Sequence, residues 1–293
     1  MDRLHKPGLA TARAVCVAVL LACSSSLTAL PQVDPWSQCR PAGALLRLAG
    51  LPEASGLAVS RQTPGRFWSH NDSGQPELFA FDTAGIVTAR VRLAGAAVQD
   101  WEAVAAAPCQ GGACLFIGDI GDNTATRHQI SIYRIAEPAA AAPASISSEV
   151  FHATYPDGAH DAETVLATPD GGLFIVTKGD TGSVALYRFP LPLRAGTTVA
   201  LERVGKLRGG GKDRITDGAV SPDGAWVVLR TKTALIIYAA KEFFAGSWRE
   251  ARRIDLTALG EPQGEGVAIG SDATIYVAGE GPKAGTLGRV VCG

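Results

Sequence analysis

From Ser55 onward, short apolar runs alternate with turns rich in Gly, Asp, Pro and Ser, and the alternation itself recurs. Five times an acidic or hydroxyl residue opens a strand of small and aliphatic residues: Ser55–Val59, Glu102–Ala106, Glu163–Ala167, Asp217–Ser221 and Glu265–Ile269. A turn follows, then an aromatic-aliphatic strand: Phe67–His70, Leu115–Gly118, Leu173–Val176, Trp226–Leu229 and Ile275–Ala278. Third strands are expected at Glu77–Asp82, Ile130–Ile135, Val184–Phe189, Ala234–Tyr238 and Thr286–Val291. Outer strands are expected at Ile86–Leu93, Val150–Tyr155, Val199–Leu207 and Glu250–Leu256. The opening residues are spaced by 47, 61, 54 and 48, and an Ala- and Pro-rich insert, Ala136–Ser148, read as a loop, accounts for the long interval. Four strands repeating at about 50 residues specify an all-β, five-bladed β-propeller of antiparallel blades, with six blades as the alternative.

The fifth unit lacks an outer strand, and Ala44–Leu48 has no unit of its own, so pairing the two closes the ring. The cysteines ask for the same closure. Cys109 and Cys114 flank a Gly-rich hairpin-sized loop, which leaves Cys39 for Cys292, one at each end of the folded part. Zinc is the competing reading, but no CxxC pair and no neighbouring histidine accompany these cysteines. Residues next to the opening positions are small (Gly56, Ala103, Thr164, Gly218, Gly266), as crowding at a narrow axis requires.

Arg3, Lys6 and Arg13 precede the apolar run Ala14–Ala22, which is too short to span a bilayer and reads as a signal peptide over residues 1–22. Leu20-Leu21-Ala22-Cys23 resembles a lipobox, in which Cys23 is lipidated; residues 23–42 then form a tether, and 43–293 the propeller. Plain secretion, with cleavage between Ser24 and Ala29, is the alternative. Loss of residues 1–22 removes three basic residues and one acidic residue, moving the net charge from −1 to −3. Such a chain has no electrostatic attraction for nucleic acid, and its contact with a membrane is through the lipid anchor alone. A hydrophobic share of 46% with 19% charged residues describes a folded domain, and 34 glycines with 17 prolines exclude a helical bundle. A monomer of the cell envelope is expected, with a small molecule or an envelope protein as partner.

In a propeller the first strands line the channel, so Ser55, Glu102, Glu163, Asp217 and Glu265 converge. Carboxylates ~8 Å apart at an effective dielectric near 20 repel by about 2 kcal/mol per pair. A divalent cation relieves this, and oxygen ligands without sulfur or imidazole select calcium, then magnesium, with Glu102, Glu163, Asp217 and Glu265 as ligands. Neutralisation by Lys178 and Arg230, raised carboxyl pKa values, or hydrogen bonds that tie neighbouring blades together are the other solutions. A second set of polar residues ends the second strands and forms a candidate ligand rim with Ser55: His70, Asn71, Asp72, Asp119, Asp122, Asn123, Lys178, Arg230 and Glu280. Gly118–Asn123 departs from EF-hand spacing, because Gly121 stands at a ligand position. No GxSxG, HExxH or P-loop motif is present, and His128, His152 and His160 have no evident nucleophile partner.

Glu53-Ala54-Ser55-Gly56-Leu57, Asp100-Trp101-Glu102, and Pro262–Ala268 with Ile275-Tyr276 and Glu280 resemble the bacterial exported five-bladed propellers of the SdiA-regulated family. The resemblance implies a central metal, calcium, with Glu102 and Glu265 at its site; Glu163 and Asp217 are assigned by repeat phase. More distantly, lactonase- and phytase-like propellers place carboxylates around an axial cation. Two functions follow: a binding module of the cell envelope, or a metal-dependent hydrolase of an ester, lactone or phosphate.

Overall fold

A computed structural model describes residues 1–2 and 35–292, apart from 140–141, 180–182 and 208–213. Residues 3–22 of the expected signal peptide, Cys23 and most of the expected tether lie outside the described residues. Pro35–Gly293 forms a compact unit of its own. No helix among the described residues is long and apolar enough to cross a membrane.

The unit is a five-bladed propeller. Blade 1 runs from the inner strand Ala54–Val59 through Phe67–Asn71 and Glu77–Phe81 to Val87–Ala94. Blade 2 comprises Trp101–Cys109, Gly112–Asp119, Ile130–Ala136 and Glu149–Thr154. Blade 3 comprises Ala162–Ala167, Leu173–Thr177, Ala185–Arg188 and Glu202–Lys206. Blade 4 comprises Ile215–Val220, Trp226–Thr231, Ala234–Ala239 and Arg252–Asp255. In blade 5 the inner strand is Gln263–Ile269, followed by Ile275–Glu280 and Gly285–Val291.

The outer strand of blade 5 comes from the amino end: Leu46–Leu48 and Arg40–Pro41 both pair antiparallel with Gly285–Val291. Cys39–Cys292 locks this seam across 253 residues, and Cys109–Cys114 clips the blade 2 hairpin. Two disulfides mark an extracytoplasmic protein. The ring begins earlier than residue 43, because Trp36 is buried against Trp226 and Arg40–Pro41 is already in the sheet.

Apolar side chains pack between blades rather than in one central core. Ile117, Trp101 and Trp68 join blades 1 and 2; Phe116, Ile175 and Tyr187 join blades 2 and 3; Leu57, Phe67 and Ala278 close blade 5 onto blade 1. The inner strands approach closely enough that Gly56, at φ +64°, could not carry a side chain: a Cβ there would sit 2.6 Å from the Val104 nitrogen.

Three elements differ from the sequence expectation. The insert after Ile135 is only partly loop, since Ser145–Ser147 adds a parallel strand to the edge of blade 1 at Arg92–Ala94. Glu137, at its start, is buried and accepts hydrogen bonds from the Ser60 hydroxyl, the Arg61 N–H and the Trp68 indole N–H. Those donors belong to blade 1, so the insert clasps two blades. The connection Val199–Leu207 likewise splits, giving Thr198–Ala200 to blade 2 in parallel and Glu202–Lys206 to blade 3. A five-residue helix, Ala240–Phe244, was not anticipated; it is one turn long and held by Phe243 packing on Tyr238.

Replacing Cys39 and Cys292 by Ser should lower stability by about 4–5 kcal/mol through restored freedom of the unfolded chain. Urea denaturation measures this, with the far-ultraviolet circular dichroism unchanged; an unshifted midpoint would show that the seam holds without the bridge.

Candidate functional site

Each inner strand carries a bulge, where the extra residue is freed from the ladder and its side chain re-aimed. In blades 2, 3 and 5 the freed residue is Glu102, Glu163 and Glu265, each lying between residues that pair consecutively with the second strand. In blade 4 it is Thr216, not Asp217. The sequence phase was therefore one residue off in that blade. Asp217 occupies the position that Ala103, Thr164 and Gly266 fill elsewhere, and it points into the joint with blade 5. There its carboxylate accepts the Val267 N–H at 2.8 Å, while Thr216 Oγ1 donates to the Glu265 carbonyl at 3.1 Å.

The glutamates meet at one end of the axis. Ser55 Oγ donates to the Glu102 carbonyl at 3.2 Å and to its carboxyl at 3.3 Å. The Glu102 carboxyl lies against that of Glu163. On the far side of Glu163 stands Lys178, ion-paired with Glu163 and 3.3 Å from Asp161. Asp161 in turn accepts the Asp122 N–H at 2.7 Å. The segment Asp119–Asn123 passes directly over this pair: a Cβ on Gly121 would lie 2.5 Å from Asp100 Cγ and 2.8 Å from Glu102 Oε1. Arg127 fastens that segment, pairing with Asp119 at 2.9 Å and donating to the Gly121 carbonyl at 2.8 Å.

Burial, with Glu163 beside it, pushes the Glu102 carboxyl up to about 11, so Glu102 is protonated at neutral pH. Burial also raises Glu163, but Lys178 opposes it, and its pKa is about 7. Lys178 is raised despite burial because Glu163, Asp161 and Glu102 surround it. Burial raises Asp217 well above the carboxylate range, and Glu265 is raised for the same reason. Repulsion at the axis is thus relieved by a held proton, an internal ammonium and backbone N–H donors.

Glu102, Glu163, Asp217 and Glu265 do not form one metal cage. Calcium takes six to eight oxygens; among the described residues no three carboxylates, imidazoles or thiolates are placed to hold an ion. Asp217 is turned into a blade joint, and the Lys178 ammonium stands beside Glu163 where a cation would be drawn.

The expected rim divides. Asn71, Asp72, Asn123 and Glu280 lie at the mouth, with Lys178 partly exposed below them. His70 is fully buried, edge-on to Trp101, and burial lowers it to about 4. Arg230 is also fully buried, donating to the Gly266 and Ala278 carbonyls and paired with Glu261, so it joins blade 4 to blade 5. Asp119 and Asp122 are buried and spend their oxygens on Arg127 and on the Gln99, Asp100 and Arg127 N–H groups.

Sequence reasoning missed Glu53, Asp100 and Asp161 as site residues. Asp100 and Asp161 stand two residues before the freed glutamates, a repeated Asp-x-Glu that was visible in both blades. At the mouth, half-buried Asp72 lies beside Glu53, with Glu280 and Asp100 near; burial first and then these carboxyls push it up to about 7. Burial raises Asp100 and Glu280 too.

Glu102→Gln, which keeps a neutral group of the same shape and spares the chain the proton that Glu102 must take up on folding at pH 7, should leave stability at pH 7 unchanged or raise it, whereas Glu163→Gln should cost about 1–3 kcal/mol by depriving Lys178 of a partner. A carboxyl raised above its unfolded pKa stabilises fully below that unfolded value, and the contribution is lost as pH rises through the folded one. Wild-type stability should therefore fall between about pH 5 and pH 8 as Glu163 and Asp72 ionise. Urea melts of the three proteins across that range test both statements; equal losses in the two variants would contradict the assigned protonation.

No protein-family model and no curated protein matches the chain. Among solved structures it is similar to the PQQ-bound aldose sugar dehydrogenase of Streptomyces coelicolor, at 10% identity, with 86% of this chain and 98% of that one covered and a TM-score of 0.50. A glucose dehydrogenase gives 11% identity, coverage of 86% and 100%, and a TM-score of 0.50. The apo aldose sugar dehydrogenase of Escherichia coli gives 12%, coverage of 87% and 100%, and 0.47. At these identities the likeness is one of fold: the chain is a β-propeller.

Proposed function

We propose that the chain is an extracytoplasmic binding module, held to the cell envelope through Cys23, that takes a small organic cation at the acidic end of its axis. One observation carries the reading. Asp72 is half-buried at the mouth, one of its carboxylate oxygens is buried without a hydrogen-bond partner, and each charged neighbour that shifts it raises it. The deeper carboxyls are neutralised from within; in the outer set Arg127 and Lys178 act on Asp100 and Lys232 on Glu280, while Asp72 meets only the carboxyls of Glu53, Glu280 and Asp100. An ammonium group seated there replaces the water that burial removes and gains charge-assisted hydrogen bonds from several blades at once. Its affinity depends on Asp72 being ionised.

Calcium and the metal-dependent hydrolase reading that rests on it lack a convergent oxygen set. The PQQ of the Streptomyces enzyme is a polycarboxylate, which the same acidic mouth opposes, so no quinone step is assigned to this chain.

A diamine such as putrescine should raise the melting temperature saturably at pH 7.5, by about 2.7 kcal/mol of added stability at a hundredfold excess over Kd. The gain should shrink at pH 5.5, where Asp72 is protonated, and vanish in Asp72→Asn with Glu280→Gln. A rise matched by NaCl at equal ionic strength would contradict the proposal, and a calcium-dependent rise reversed by EDTA would reinstate the metal. Cys23→Ser should move the protein from the membrane to the soluble fraction; unchanged fractionation would contradict the anchor.

A further inference from the structure

The small negative net charge expected of the mature chain hides how its charges are distributed. Each of blades 2, 3 and 4 carries an arginine matched by a glutamate: Arg134 pairs with Glu149, Arg188 with Glu202, and Arg253 with Glu250. Where blade 5 meets blade 1 the arginines are left over. Arg40, Arg90 and Arg289 are exposed there, and among the described residues no ion pair or hydrogen bond holds their guanidinium groups.

Strand register puts these three side chains on one outer rim. Leu287 packs into the joint between blades 5 and 1, and Arg289, two residues on, shares its face. Arg40 stands opposite Val291 and Leu46 opposite Leu287, so both belong to that face as well. From blade 1, the Arg90 guanidinium lies 5.0 Å from the ring centre of Phe79, a residue of the same joint, and its Nη2 is 3.1 Å from where a Gly50 Cβ would stand. Two aliphatic side chains complete the rim. Apart from Met1, the exposed large hydrophobic residues among the described ones are Leu46, Ile86 and Leu191, with Ile86 at 62%. The Gly85 turn brings the first two together, since a Cβ on Gly85 would lie 3.5 Å from Leu46 Cβ. Asp82 and Asp272, in neighbouring turns, hold donors of those turns: the Ala84 and Ile86 N–H groups, and the Thr274 N–H and hydroxyl.

We infer that this rim docks on an anionic phospholipid bilayer, with Arg40, Arg90 and Arg289 against lipid phosphates and Leu46 and Ile86 at the edge of the acyl chains. Guanidinium forks match phosphate oxygens, and exposed aliphatic side chains gain by leaving water at the headgroup boundary. The chain also enters the ring at this seam: Arg40 follows Cys39, and twelve residues separate Pro35 from Cys23, a reach of at most about 40 Å. Seated on this rim, the ring has its axis along the membrane surface, and its acidic mouth, which anionic lipid repels, opens to the side. The contact adds to a lipid on Cys23 without requiring it, because the charges belong to the folded ring. Nor does it replace that lipid, since each basic residue near an anionic surface is worth only about fivefold in affinity, less as salt rises.

Sedimentation of the mature chain with Cys23→Ser, which carries no lipid, tests the inference against vesicles of phosphatidylglycerol and of phosphatidylcholine. The protein should bind the first and not the second at about 0.05 M NaCl, and come off at about 0.5 M. Arg40→Gln, Arg90→Gln and Arg289→Gln together should weaken binding about a hundredfold. Arg134→Gln, Arg188→Gln and Arg253→Gln together change the net charge equally and should weaken it by less than about fivefold. Ile86→Ser alone should weaken it by at least about threefold. Melting curves identify the folded variants, and single substitutions, at about fivefold each for the rim, stand in for a triple variant that does not fold. Absence of binding to phosphatidylglycerol would overturn the inference and leave the rim to an acidic protein. Equal binding to both lipids, equal losses from the two triple variants, or an Ile86→Ser protein that binds like its parent would also overturn it. None of these results bears on the Cys23 anchor or the cation site, which have their own tests.

Discussion

Closing five inner strands around one axis brings Glu102, Glu163 and Glu265 to the same end, buried and within reach of each other's fields. Carboxylates so placed cannot all ionise, and the ring closes only because each finds a different release. Glu102 keeps its proton, Glu163 holds Lys178, and Glu265 has the Gln263 side chain beside it with Arg230 near; Asp217, outside this group, is spent on a backbone N–H of the next blade. The polar residues at the axis are therefore first of all joints between blades. Ser55 to Glu102 joins blades 1 and 2, Glu102 to Glu163 joins 2 and 3, and Thr216, Asp217 and Arg230 all reach blade 5 from blade 4. What remains for a ligand is the outer set around Asp72, which meets only other carboxyls.

The two ends of the axis differ because the inner strands are graded along their length. They begin in bulges that project polar side chains and finish in small and aliphatic residues such as Val59, Ala167, Val220 and Ile269. Bulges admit polar side chains into a narrow ring by removing one residue from the ladder. A single tube thus presents an acidic mouth on one face and a cavity of mixed polar and apolar lining on the other.

Much of this was legible in the chain. The period near 50 residues, the missing last strand and the orphan Ala44–Leu48 together specified ring closure, because hydrogen-bonded sheet edges require partners. Cys39 and Cys292 followed from their positions at the two ends. The phase of blade 4 was not legible: Thr216 and Asp217 are both polar, and only the pairing of Ile215 with Thr231 and of Asp217 with Arg230 shows which one is freed. Arg230 read as a rim cation because it ends a strand, yet blade 5 carbonyls bury it. The strand at Ser145–Ser147 was hidden by an Ala/Pro composition that suggests loop, since its pairing partner lies on another blade. Of the four carboxylates expected at the axis, Glu102, Glu163 and Glu265 come together and Asp217 does not, and the way their repulsion is relieved depends on side-chain directions that spacing does not reveal.

The proton held by Glu102 is the most exposed element of this account. Infrared difference spectra between wild type and Glu102→Gln at pH 7 address it directly. Wild type should show the carbonyl band of a protonated carboxylic acid that the variant lacks. A difference spectrum containing only the paired bands of an ionised carboxylate would contradict it.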